Sequence, residues 1–429
     1  MKRKSPWGIV PVIYILFSCL FFGLYLDSIE AFPQLRDPQA AEQRRLAREA
    51  RKAEKEAARL AKEEARKAEE AARRQNDERL NPVSLEAVAR YDAVVNAALQ
   101  AAYSRFTANP TADLDTVNRK LPAMNAYRLQ KGLTDFPMAQ IESARNTYRG
   151  QITLAAAVSG AGDVITAERS RQNELAAAAS GVRTALTEKD PAVFENSRLI
   201  ADLISVGISG FSKDSVEPLL TDFKSFEDWT ARQAAGFIDI CHRLQLNLPG
   251  ISAAADRLIS LVVKNNNIYS VGESDSLYCG QVLVAAGENF QNKRWSDVGK
   301  TVVATYWESN PQTPFEEFYD LFNPTYFPHY KTVSVDGLRL ITYGAPENVR
   351  FGSADRTLTV SFDEPIGQTF FFIIRGLPSL SHYQMYNLSW NRDPSFQNYY
   401  SGAYFNATGN TFFVKIQIKT RNETIYLQP

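Results

Sequence analysis

The spacing of apolar positions divides this 429-residue chain into five stretches. The first is an unbroken apolar run from Ile9 to Leu26, with no charge until Asp27. Its roughly 18 residues, rising about 1.5 Å each, span about 27 Å, close to the ~30 Å hydrocarbon core of a bilayer. Residues 1–27 therefore read as a short cytoplasmic tip and a transmembrane signal anchor. Lys2, Arg3 and Lys4 precede the run, which puts the N-terminus in the cytoplasm and the bulk outside, the periplasmic side of an inner membrane in a bacterium. Cleavage after Ala31 and lipidation of Cys19 are the two alternatives to a retained anchor.

The second stretch, residues 37–81, lacks long apolar runs altogether. Asp37-Pro38 pairs an N-cap acceptor with proline at the first helical position, and Asn81-Pro82 stops the helix. Between them lie mostly Ala, Glu, Lys and Arg, with charges four apart in Glu63/Lys67, Glu69/Arg73 and Glu70/Arg74. A rod of about 43 residues would extend about 65 Å. Its 13 basic and 10 acidic side chains over residues 41–80 alternate, so no cationic face for nucleic acid forms. Alanines recur every eleven residues at Ala50, Ala61 and Ala72, yet only Leu46 and Leu60 are bulky. That leaves open a weak homo-oligomeric coiled coil or a solvated single helix. The composition resembles the spacer helices of Tol-type envelope proteins, which implies distance from the membrane.

Helical periodicity continues from Pro82 to about Pro328. Leu85, Val88, Val95, Leu99, Ala102 and Phe106 mark one stripe after a Ser84 cap. Breaks at Asn109-Pro110, Lys131-Gly132, Ser159-Gly160-Ala161-Gly162, Asp190-Pro191, Gly210, Pro249-Gly250, Asn265-Asn266-Asn267 and Lys293 predict about ten helices. Residues 82–190 are Ala-rich and read as a bundle. Residues 191–328, richer in Phe, Leu, Ile and Trp, read as a globular helical array. Gly287 and Gly299 suit a close helical hairpin between Leu277 and Trp307. Such hairpins are similar to those of (α/α) toroids in carbohydrate-active proteins, so a partial toroid is an expectation.

Alternation takes over in residues 329–429. Leu358, Val360 and Phe362 share one face of Thr357–Phe362, and Phe412, Val414, Ile416 and Ile418 do the same against Phe413, Lys415, Gln417 and Lys419. Phe370–Ile374 is apolar on both faces and predicts a central strand. Residues 326–429 hold 20 aromatics, against six in residues 39–190, which is strand chemistry. About eight strands in an antiparallel β-sandwich follow. The predicted fold class is thus mainly α with a C-terminal all-β domain.

Composition narrows the function by exclusion. Lys plus Arg equals Asp plus Glu, so no nucleic-acid partner is implied. Cys241 and Cys279 read as buried thiols, a disulfide being the alternative outside the cytoplasm. His242, His329 and His382 are far apart and lack companions at metal-ligand spacing, and no phosphate loop, nucleophile elbow or dinucleotide fingerprint occurs. No cofactor or metal is therefore expected. Cys241 and His242 point about 100° apart on a helix and cannot act as a dyad. If the chain is an enzyme, Glu273, Asp275, Tyr269 and His242 are the polar groups to inspect in a helical concavity. Trp390, Tyr399, Tyr400 and Tyr404 are candidates for stacking on sugar rings, with core packing the competing role. The expectation is a membrane-held scaffold or binding module for an envelope protein or glycan. A glycan lyase or hydrolase, or its inactive relic, is the alternative.

Overall fold

The computed structural model describes part of residues 42–67, and residues 83–108, 113–136, 138–263, 273–332, 338–342, 348–352, 357–362, 366–377, 379–420 and 423–428. Two compact units divide the chain, Met1–Asn76 and Asp77–Pro429. In the first, residues 50–63 are helical and solvent-exposed throughout. The predicted Glu63/Lys67 pair closes at 3.1 Å. Leu46 and Leu60 stand 57% and 51% exposed. The apolar run at residues 9–26 lies outside the described residues, and among those described no helix is long and apolar enough to cross a membrane.

The second unit is mainly helical and ends in an antiparallel β region of two sheets. Ten helices of nine residues or more are described: α1 (Leu85–Ala108), α2 (Leu121–Lys131), α3 (Met138–Thr147), α4 (Val164–Glu188), α5 (Ser197–Val206), α6 (Lys213–Thr221), α7 (Ala231–Arg243), α8 (Ile251–Val262), α9 (Glu273–Asn289) and α10 (Lys293–Ser309). Their ends follow the expected chemistry. Gly132 closes α2 at φ 63°, and Asp163, Asn196, Ser212, Thr230 and Asn292 cap the N-termini that follow them.

The buried face of α1 keeps Leu99 and Ala102 of the predicted stripe, with Val95 and Phe106 packed at its border, but departs from it at the start. Leu85 is 74% exposed, and Ala87, Tyr91, Ala98, Leu99, Ala102 and Tyr103 face inward. The tyrosines take core positions because each hydroxyl finds a partner there: Tyr91 donates to Gln281 Oε1 at 2.6 Å and Tyr103 to the Asp135 carbonyl. The α9–α10 hairpin is as close as its glycines suggest. A Cβ at Gly287 would lie 2.4 Å from Ser296 N, and one at Gly299 2.5 Å from Gly280 O. Beside it, Phe194 stacks on Trp229 at 5.3 Å and meets the edges of Phe223 and Phe237 at 4.9 and 5.2 Å.

Strands β1 (His329–Thr332), β2 (Arg339–Thr342), β5 (Thr369–Arg375), β9 (Thr411–Gln417) and β8 (Gly402–Asn406) form one sheet, in the order β1-β2-β5-β9-β8. The other runs β3 (Asn348–Gly352), β4 (Thr357–Phe362), β10 (Glu423–Gln428), β6 (His382–Met385) and β7 (Leu388–Ser389). β4 buries alternate residues, while β5 is buried along its whole interior and takes the middle of its sheet, as its two-faced apolar run requires. The sheets share a core: Phe362 of β4 lies 5.3 Å from Phe372 of β5, and Tyr383 of β6 lies 5.2 Å from Phe412 of β9. On β9 the expected polar face carries a buried Phe413, which Tyr404 covers at 6.3 Å. Helices and sheets meet through Gln172 Nε2, which donates to Tyr330 OH at 3.0 Å, and through Arg375 and Glu168, paired at 3.1 Å.

Candidate functional site

Two cavities lie where helices meet sheets. One of about 590 Å³ is walled by α4, α5, the segment 150–155, Phe327 and β1. A second of about 620 Å³ lies between α3, the start of α4 and the loop around Pro394–Asn398. Gly150, Ile152 and Ala167 line both, so the cavities adjoin. Each volume falls in the range of small-ligand sites.

The first cavity is charged but internally balanced. Arg171 reaches Asp202 at 2.5 Å and Glu174 at 3.1 Å. Arg198 reaches Asp320 at 3.0 Å and covers the Phe327 ring at 4.9 Å. Glu316 sits between Lys120 and Arg105, at 3.8 and 3.9 Å. Burial pushes the Tyr330 phenol above its ordinary value, so it stays protonated. Burial, helped by Lys331, Arg198 and Arg243, pushes His329 down to about 4. The ring is then neutral at ordinary pH, and its Nδ1 must donate to the Phe327 carbonyl, 2.6 Å away. Glu174, Asp202 and Asp320 are each closely paired with an arginine, while Glu316 keeps a buried Oε2 without a hydrogen bond, so the wall offers mostly fixed hydrogen-bonding groups.

Behind this wall runs a buried polar chain. Arg243 Nε lies 2.9 Å from both carboxylate oxygens of Asp239, and Ser197 Oγ donates to Asp239 at 2.6 Å. Arg243 also reaches Asp320 at 3.7 Å. The chain thus ties α7 to the cavity residue that orients Arg198.

The second cavity is different in kind. Asp163 is fully used as a cap: burial pushes its carboxyl up, but hydrogen bonds from Gln397, Thr166 and the Ile165 and Thr166 backbone outweigh that and hold it below its ordinary value. Arg145 and Arg149, one turn apart, have no hydrogen-bond or ion-pair partner among the described residues. The loop that forms the other wall continues into Tyr399 and Tyr400, which are 51% and 78% exposed.

The residues singled out in sequence are dispersed. Glu273 opens α9, and Tyr269 lies outside the described residues. Asp275 pairs with Arg232 at 3.6 Å, which itself lines the first cavity. His242 lies on α7, lines neither cavity, and leaves its Nδ1 without a hydrogen bond; burial lowers its pKa. Cys241 and Cys279 are free, buried thiols. Of the aromatic four, Trp390 donates to the Met385 carbonyl at 3.1 Å and packs on Tyr386 at 5.9 Å, and Tyr404 covers Phe413. These two are framework, whereas Tyr399 and Tyr400 face solvent. Arg145, Arg149, Gln397 and Asn398 went unnoticed in sequence. One signal was readable: arginines four apart repel along a helix, and neither has an acidic residue four away.

Among the described residues, no group of three His, Cys, Asp or Glu side chains could hold a metal ion. No protein family model matches the chain, and no curated protein or solved structure is significantly similar to it.

Proposed function

We propose that this chain is a membrane-held glycan-binding module of the cell envelope, with its ligand lying in the adjoining cavities between helices and sheets. One observation carries the reading. Two adjoining cavities present arginine, amide and hydroxyl groups, and a loop walling one of them also exposes two tyrosines. Sugars are bound by that combination, because hydroxyls need paired donors and acceptors while the apolar face of a pyranose needs a ring to cover it.

The test is retention of the full chain, in detergent micelles, on an array of immobilised neutral and acidic oligosaccharides. Binding to a subset is expected, falling about tenfold for Tyr399→Ala/Tyr400→Ala, in line with ~1–2 kcal/mol for lost aromatic contact. Silence across the array would end the glycan reading and favour a protein partner.

The first cavity also brings Tyr330, His329, Asp202 and Asp320 to one wall, between helices and a sandwich-like pair of sheets. A lyase or hydrolase with a partial helical toroid is therefore the second reading, and shortening of a bound oligosaccharide would favour it. The ion-paired carboxylates and the raised Tyr330 pKa weigh for binding without turnover.

The membrane and the spacing role of residues 37–81 enter this proposal from sequence. A reporter enzyme active only outside the cytoplasm, fused after Pro429, should be active. A stable but inactive fusion would reverse the orientation.

A further inference from the structure

We propose that the cavity beside α3 is a subsite for an acidic sugar, whose carboxylate or sulfate is held by Arg145 and Arg149. This rests on the glycan reading and adds the charge of the ligand.

The charge balance of the two cavities is the starting observation. In the first, the arginines Arg171 and Arg198 are already occupied by Asp202, Glu174 and Asp320. In the second, Arg145 and Arg149 have no such partner among the described residues, and Asp163 is spent on capping α4 and on Gln397. Glu142 is the one other carboxylate of that cavity, and it offsets a single arginine. A further cation stands near: Lys415 donates to the Gln397 carbonyl at 2.8 Å, and burial together with Arg145 lowers its pKa. Asp163 and Glu142 thus match the two arginines in formal charge, and Lys415 adds one positive charge nearby, while Arg145 and Arg149 alone keep donors that no described residue uses.

Guanidinium groups present a planar fork that matches a carboxylate or sulfate, and two of them can hold one anion from both sides. Asn146 and Asn398, whose side chains line the same cavity, supply donors and acceptors for ring hydroxyls. Tyr399 and Tyr400 follow Asn398 directly and stay exposed. A nucleic acid would satisfy the cations too, but the balanced charge elsewhere offers no track for a phosphate backbone.

The experiment measures affinity of the full chain in micelles for three probes: hexagalacturonate, its fully methyl-esterified counterpart, and a sulfated hexasaccharide of the heparin type. At least one acidic probe should bind tenfold or more tightly than the ester, and weaken as salt rises from 50 to 500 mM, roughly. Arg145→Gln/Arg149→Gln should remove most of that preference, bringing the acidic probe's affinity down toward that of the ester. Glu142→Gln should strengthen acidic binding. Both arginines are at least partly solvent-exposed, so these variants keep the fold, which an unchanged urea midpoint checks. If the ester binds as tightly as the acids, or the double variant keeps the acid preference, the subsite is overturned while the glycan reading stands. If no probe binds and the array is silent as well, both fall.

Discussion

Asp239→Ala should lower the stability of this chain by about 3–5 kcal/mol in urea unfolding followed by tryptophan fluorescence. Asp239 is 2% exposed, on the inner face of α7. Both its oxygens receive Arg243, and one receives Ser197 Oγ. Deleting the carboxylate leaves a half-buried guanidinium with Asp320 as its remaining partner, at 3.7 Å. The penalty is the uncompensated cation more than the lost attraction, so removing both charges should recover much of it. Asp239→Ala/Arg243→Met is accordingly expected to be more stable than the single variant. A single-variant loss below about 1 kcal/mol, or a double variant no better than the single, would contradict this account. Because Asp320 is drawn toward Arg243, the single variant should also weaken any binding measured under the glycan proposal, through Arg198 and its cover on Phe327.

How much of this was readable beforehand depends on whether a feature is local. Helix ends were, since Gly132, Ser159–Gly162, Asp190-Pro191 and Pro249-Gly250 act through their own backbone chemistry, and each falls at an observed break. The β5 run was legible as a central strand for the same reason. The face of α1 was read in part, Leu99 and Ala102 being buried as expected, but its tyrosines were missed because a tyrosine counts as either apolar or polar until a partner for its hydroxyl is known, and Gln281 is 190 residues from Tyr91. The second cavity was not legible at all. Arg145 and Arg149, Asp163, and Gln397 with Asn398 come from three separated segments, and the hydrogen bonds of Gln397 with Asp163 and the Val164 amide join two of them. The aromatic segment was half legible: its richness in rings was plain, but which rings Met385 and Phe413 would take into the framework was not.

Glycines show the same division, and they yield the second large effect. Gly287 and Gly299 were visible in sequence because they lie in the two arms of one predicted hairpin, where Gly287 meets Ser296 and Gly299 meets Gly280. Gly236, in the middle of α7, carried no such sign, yet its site is tighter. A Cβ there would lie 1.8 Å from the Phe194 carbonyl oxygen and 2.7 Å from its carbon. A backbone carbonyl cannot rotate away like a side chain, so the turn Pro191–Asn196 must move as a whole, and with it the Phe194 ring that Trp229, Phe223 and Phe237 enclose. Overpacking of this kind costs about 1–3 kcal/mol where side chains can yield. Gly236→Ala should reach or exceed ~3 kcal/mol, since here the obstacle is main chain. Gly181→Ala is the matched control, also within a helix but with no atom within 4 Å of the added methyl. It should stabilise by about 0.5–1 kcal/mol, because alanine loses less conformational freedom than glycine on entering a helix. The two substitutions are chemically identical, so opposite shifts of the urea midpoint would isolate the packing at Phe194. Equal shifts, or a Gly236→Ala chain within about 1 kcal/mol of the parent, would mean that α7 and the turn before α5 are not in the close contact described.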